Sequence, residues 1–169
     1  KKLKVVPFTT HISLRNVSKY IKEEPLIKSI KLLNNSLKKN FGIKKPKIAV
    51  TGLNPHSGDG GLLGDEENKT IIPAIKKAKT KSIMVSGPLS ADSAFQNKNL
   101  SLFDAFLCMY HDQALIPVKT IDFEKTINFT LGLSFIRTSP DHGTGYDIAN
   151  KSIASEISLV SAINYAAEL

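Results

Sequence analysis

Ala105-Phe106-Leu107-Cys108-Met109-Tyr110-His111 is an uninterrupted apolar run that ends on an imidazole. Its lack of alternation is the pattern of a strand covered on both faces. Two upstream stretches repeat the arrangement, Val5-Val6-Pro7-Phe8-Thr9-Thr10-His11 and Ile48-Ala49-Val50-Thr51-Gly52-Leu53-Asn54-Pro55-His56. Three strands with a histidine just beyond each suggest a parallel sheet that delivers imidazoles to one edge. Ligands of open parallel sheets collect outside the carboxyl ends of the strands, so these three side chains could hold one divalent metal.

The remaining chain reads as βαβ units. Lys4 to Thr10, Lys47 to Leu53, Ser82 to Ser86 and Ala105 to Tyr110 are expected strands, with Thr126 to Leu131 and Ser134 to Thr138 as a further pair. Leu26, Ile27, Ile30, Leu33 and Leu37 recur at helical steps, with Pro25 in the first turn, Glu23 and Glu24 at the positive end of the dipole, and Gly42 closing the helix. Asp65 is placed to cap a second helix whose buried face carries Ile71, Ile72, Ile75 and Ala78, and Ser90 a brief one through Gln96. A last helix from about Glu156 carries Ile157, Val160, Ile163 and Ala167 on one side. This order predicts an α/β fold, a largely parallel sheet flanked by helices, with residues 1–169 forming a single α/β unit.

Composition excludes several classes. The 169 residues, 41% hydrophobic and 22% charged, are those of a water-soluble globule. No apolar stretch reaches the roughly 20 residues that span a bilayer, and the start is too soon interrupted for a signal peptide. A cytoplasmic chain is the expectation. The net charge of +8 comes from dispersed lysines without interleaved aromatics, so a nucleic-acid surface is not expected. Cys108, the single cysteine, lies inside an apolar run and reads as a small core residue.

His11, His56 and His111 lie about fifty residues apart, far beyond the local spacing of a zinc finger or an HExxH helix, so any shared site is assembled by tertiary structure. Taken singly, each also fits a solvated loop. Three neutral imidazoles suit Zn, and oxygen neighbours such as Asp112 would also admit Mn, Co or Mg. Lys119, Asn128 and Arg137 form a second group, each following or ending an extended stretch. A point charge, an amide and a planar fork together recognise phosphate or carboxylate, though surface positions on a hairpin would look the same. A third group is the turn-rich loop Thr138 to Asn150, with Asp141, His142, Gly143 and Gly145. It could wrap a nucleotide but carries no GxGxxG, and Gly58-Asp59-Gly60-Gly61 lacks the Gly-Lys-Ser/Thr ending of a phosphate loop.

GLNPHSGDGGLLGDEE at Gly52 to Glu67, GPLSADSAF at Gly87 to Phe95, MYHDQ at Met109 to Gln113 and NFTLGLSFIRTSPDHGT at Asn128 to Thr144 closely resemble the 4-hydroxythreonine-4-phosphate dehydrogenases of vitamin B6 biosynthesis. The likeness runs in order from Thr9-Thr10-His11 through the last helix. It implies oxidation of the C3 hydroxyl of 4-phosphohydroxy-L-threonine with NAD or NADP, then loss of carbon dioxide to give 3-amino-2-oxopropyl phosphate. It further implies His11, His56 and His111 as metal ligands, Lys119, Asn128 and Arg137 as substrate-binding, and Asp92 and Asp112 as carboxylates near the metal. Asp112 or Lys119 would relay the hydroxyl proton. Asp141, His142 and Gly143 resemble the cofactor-side loop of the isocitrate and isopropylmalate dehydrogenase group, which binds NAD without a Rossmann fingerprint.

In that family the active site lies in a cleft between two domains at a homodimer interface. The chain matches roughly the C-terminal half, a fragment of a two-domain enzyme, so the resemblance implies a missing N-terminal segment and an inactive isolated piece. Ala114 stands where glycine follows HDQ in the family, and Ser57 and Asp59 depart from it in the glycine-bearing loop; no matched site residue is lost. Two other functions use the same residues: a paralogue acting on 4-phosphoerythronate or threonate 4-phosphate, and a non-catalytic dimerisation module.

Overall fold

Val5–Pro7 (β1), Lys47–Thr51 (β2), Met84–Leu89 (β3) and Ala105–Cys108 (β4) form one all-parallel sheet in the order β1-β4-β2-β3. The structure is a computed structural model that describes residues 3–143 and 145–169; Thr144, in the glycine-bearing loop, lies outside the described residues. The chain, read as a single unit, gathers into two compact units, Lys1–Val118 and Lys119–Leu169.

In the first unit the period of two divides the sheet's side chains between its faces. Ala49, Phe106 and Cys108 pack with Phe103 and Ala114, and Phe106 lies 5.0 Å from Phe95 and edge-on to Phe103 at 5.9 Å. Ile48, Val50, Ala105 and Leu107, all fully buried, belong to the opposite face. The connections are helical: Val17–Tyr20 (α1) and Glu23–Lys39 (α2) follow β1, Ile72–Lys79 (α3) follows β2, and Ala91–Ala94 (α4) and Asn97–Leu102 (α5) follow β3. His111–Ile121 (α6) follows β4. The α2 stripe of Leu26, Ile27, Ile30, Leu33 and Leu37 is buried, as its spacing predicts. Gly42, at φ +65, turns the chain back so that the Ile43 N–H donates to the Leu37 carbonyl at 3.1 Å. Asp65 opens the third helical segment, its carbonyl accepting the Lys69 N–H, but the first turn, Glu67–Ile71, is a π-helix. Ser90 stands at the N-cap of α4 without capping through its side chain, and that helix stops at Ala94.

Helix α6 is not among the expected elements, and Lys119 is correspondingly on a helix and not beside an extended stretch. Pro117 is the reason: an interior proline removes an i→i−4 hydrogen bond, a signal against helix. Burial of Gln113 and Ala114 in the preceding turn outweighs that loss.

In the second unit Ile127–Phe129 (β5) and Thr138–Pro140 (β6) pair antiparallel, with Asn128 opposite Ser139. The second strand begins where it was expected to end, because the Thr130 N–H to Arg137 carbonyl bond at 3.0 Å closes the ladder and Gly132, at φ +87, carries the turn. Ile157–Ala167 (α7) covers the hairpin through its small residues. Thr138 Oγ1 donates to the Ala162 carbonyl and Ser158 Oγ to the Thr126 carbonyl. The expected apolar side of α7 is not its packed side, since Val160 and Ile163 are exposed. No described helix is long and apolar enough to cross a membrane.

Cys108 is fully buried, and desolvation pushes its thiol up to about 12. Iodoacetamide at pH 8 is therefore expected to leave the Cys108 peptide unmodified in native protein and to alkylate it fully in urea, as read by peptide mass; labelling of native protein would contradict this packing.

Candidate metal and substrate site

The sheet order explains how sequence-distant histidines reach one edge. Strands β1, β4 and β2 are consecutive neighbours and parallel, so the segments bearing His11, His111 and His56 leave the same side, with His111 in the middle. The His11 and His111 rings lie 5.9 Å apart between centroids and are tilted by 44°. His56 sits on the loop Pro55–Gly61, against which α4, the helix bearing Asp92, packs. His11, His56 and Asp92 are exposed. Among the described residues no three His, Cys, Asp or Glu side chains are gathered as a metal-holding group. Two of the three expected ligands are thus brought side by side, and the third is on the adjoining loop.

The donor chemistry fits a divalent cation. His111 Nδ1 lies 2.6 Å from Asp112 Oδ1, an arrangement that fixes the ring and leaves Nε2 available to a ligand. The Asp112 side chain is 69% exposed, so this contact orients the ring more than it stabilises the fold.

Buried polar groups, assigned no role from sequence, hold these loops. Gln113, 8% exposed, accepts from Thr51 Oγ1 at 2.6 Å and from the Met109 N–H at 2.7 Å, and its Nε2 donates to the Gly52 carbonyl at 2.8 Å. Thr9 Oγ1 donates to the Met109 carbonyl at 2.8 Å. Together these bonds tie the ends of β1, β4 and β2. Glu67, 1% exposed, accepts from the N–H groups of Leu53 and Asn54 at 2.7 and 2.8 Å. The signal available in the sequence was position: Gln113 is two residues beyond a strand-end histidine and Glu67 falls in a run that also opens a helix.

The second unit brings other candidates together. Asn128 faces Ser139, and Arg137 is two residues before Ser139, which places Asn128 and Arg137 on one side of the hairpin. Arg137 Nη1 donates to Thr130 Oγ1 at 2.8 Å. Lys119 Nζ donates to the Asp141 carbonyl at 2.7 Å and stands 3.5 Å from its Oδ2. An expected substrate lysine thus holds the loop expected to meet the cofactor. His142 and Gly143 are exposed, with His142 Nδ1 2.9 Å from the Gly143 carbonyl oxygen.

Comparison with known proteins gives one family. The family model described as pyridoxal phosphate biosynthetic protein PdxA matches residues 1–166. The 4-hydroxythreonine-4-phosphate dehydrogenase of Sulfurihydrogenibium sp. is 51% identical over 166 residues, 98% of this chain and 51% of that protein. Its counterpart in Aquifex aeolicus is 51% identical over 169 residues, 100% and 52% respectively. The crystal structure of 4-hydroxythreonine-4-phosphate dehydrogenase from Klebsiella pneumoniae aligns with a TM-score of 0.87 at 40% identity, covering 98% of this chain and 50% of that one. A terephthalate 1,2-cis-dihydrodioldehydrogenase from Burkholderia xenovorans LB400 aligns with a TM-score of 0.78 at 29% identity, covering 98% and 52%. The chain spans about half the length of the curated relatives it matches.

Replacing Gln113 with leucine leaves the Thr51 hydroxyl, the Met109 N–H and the Gly52 carbonyl without their partner. Each unpaired buried group costs about 1–3 kcal/mol, so Gln113→Leu is expected to destabilise the protein by about 3 kcal/mol or more in urea unfolding. A loss below about 1 kcal/mol would show that the strand ends do not depend on this amide.

Proposed function

Since the chain belongs to the PdxA family of pyridoxal phosphate biosynthetic proteins, we propose that it is the metal- and phosphate-binding portion of a 4-hydroxythreonine-4-phosphate dehydrogenase. The whole enzyme would oxidise 4-phosphohydroxy-L-threonine with NAD or NADP and release 3-amino-2-oxopropyl phosphate. The observation that carries this reading is the delivery of His11, His111 and His56 to one edge by three adjacent parallel strands, within a chain about 50% identical to proteins of that name.

His11, His56 and His111 would hold the divalent cation, of which Zn, Mg, Co and Mn are the candidates, and Asp112 Oδ1 fixes the His111 ring by holding Nδ1. When bound, the metal would supply Lewis acidity toward the substrate's hydroxyl and carbonyl oxygen and the nicotinamide would accept the hydride. Asp112 and Lys119 are the groups proposed to take the hydroxyl proton, with Asp92 a further carboxylate at the same sheet edge. Loss of carbon dioxide from the resulting β-keto acid consumes no further oxidant. Lys119, Asn128 and Arg137 bind the phosphate: Arg137 through its fork, Lys119 as a point charge, Asn128 as a neutral donor. Asp141, His142 and Gly143 line the cofactor side. Lys119 is already bonded to Asp141, so phosphate and cofactor loop share one cation.

A homodimer is the proposed working form, and a cytoplasmic location accords with the absence of a membrane-crossing helix among the described residues. Large exposed apolar side chains, among them Phe123, Phe135, Tyr146, Ile153 and Ile163, favour further chain or a second copy over them.

The deciding assay follows NAD(P) reduction at 340 nm by the full-length protein with metal and 4-phosphohydroxy-L-threonine. Turnover is expected; none with folded, metal-loaded protein would overturn the assignment, and preferential turnover of 4-phosphoerythronate or threonate 4-phosphate would move it to the paralogous reading. Arg137→Ala is expected to raise KM for the phosphorylated substrate by about tenfold to a hundredfold, the loss of a charge-assisted contact, leaving KM for NAD(P) within about twofold.

A further inference from the structure

We infer that Glu67 is a positioning residue for metal binding: its buried carboxylate holds the loop that presents His56. The inference rests on the reading of His11, His56 and His111 as metal ligands.

The loop after β2 has an unusual backbone. His56, Ser57, Gly58, Asp59 and Gly60 all have left-handed φ, at 50, 53, 81, 43 and 67°. Only glycine adopts that region without steric cost, so His56, Ser57 and Asp59 are each held in a conformation that the isolated chain disfavours. Such backbone persists only where surrounding contacts over-determine it. Glu67 anchors the residues that lead into this stretch. Oε1 accepts the N–H groups of Leu53 and Asn54, and Oε2 accepts Asn54 Nδ2 at 2.9 Å, while the neighbouring Glu66 takes the same amide at 2.8 Å.

The loop folds closely around this carboxylate. A Cβ on Gly52 would fall 3.0 Å from Oε1, and one on Gly58 would fall 2.7 Å from Oε2. Glycine at these two positions therefore lets the chain on both sides of His56 approach one buried acid. Glu67 also begins the π-helical turn Glu67–Ile71, an irregularity that recurs at functional sites. Ligand-orienting groups outside the coordination sphere govern affinity through ligand placement, and their loss typically weakens binding by about 10–100-fold.

The test is a cobalt(II) titration of the full-length protein, followed by the visible absorption of the bound ion and by competition with a chelator. His56→Ala is the ligand control, Ile71→Val a packing control on the same helical turn, and Glu67→Gln the test. Glu67→Gln keeps an oxygen for the two backbone donors but sets an NH2 group against Asn54 Nδ2. It is expected to weaken cobalt by about tenfold and to shift the absorption bands. Ile71→Val should lower the urea midpoint without moving either. Wild-type affinity and spectrum in Glu67→Gln, with His56→Ala weakened, would overturn this inference and leave the metal reading standing. Wild-type affinity in His56→Ala would overturn both. Should Glu67→Gln fail to fold, Asn54→Ala decides, with Glu66→Ala as the control for the other bond of that amide: a severalfold loss of affinity in Asn54→Ala alone supports the inference, and an unchanged affinity or an equal loss in Glu66→Ala overturns it.

Discussion

The side-chain amide of Gln113 is the contact on which the rest of the site depends. Where parallel strands end, their last N–H and C=O groups lose ladder partners and must find others or stay hydrated. Gln113 offers both a donor and an acceptor, and it uses them on β2 and β4 at once: Thr51 and Gly52 on one side, Met109 on the other. Because it stands in the first turn of α6, the same bonds set where that helix begins, and the helix begins with His111. A single buried residue therefore couples strand register to the placement of a candidate ligand. Thr9 extends the coupling to β1 through the Met109 carbonyl, and Glu67 extends it to the His56 loop through Leu53 and Asn54.

This explains which features were legible in the sequence. The strands of the parallel sheet and the long α2 were readable because burial on both faces of a sheet, or along one stripe of a helix, leaves a local pattern of apolar residues. The histidines stood out by type and by their place after those runs. Gln113 and Glu67 did not, because a buried polar residue has no periodicity; its identity is decided by partners as distant in sequence as Thr51 is from Gln113. The quoted segments contained both residues, but only the fold shows whom they bond. Pro117 hid α6 for the opposite reason, a local rule overridden by tertiary burial of Gln113 and Ala114.

The two units differ in how they are held. Lys1–Val118 has a conventional core, with Phe106 between Phe95 and Phe103 and with Ile48, Val50 and Leu107 fully buried. Lys119–Leu169 is a short hairpin covered by one helix through Ser158 and Ala162, and hydroxyl-to-carbonyl bonds carry much of that packing. Apolar residues of α7 that looked like a core stripe are exposed, which is why periodicity misjudged the packed side. Hydrophobic spacing reports that a face will be covered, not what covers it.

That difference bears on how the candidate residues act. The imidazoles stand on segments whose strand ends are pinned by buried hydrogen bonds, so the sheet sets where each segment leaves it. Asn128 and Arg137 stand exposed on the small hairpin, and Lys119 is engaged by Asp141. An ammonium carries three donors, so Lys119 could take a phosphate while it keeps the Asp141 carbonyl. A phosphate held there would be linked to the Asp141 loop through one lysine. The candidate histidines are thus placed by bonds made within the sheet, whereas the candidate anion-binding lysine is placed by a bond to a loop.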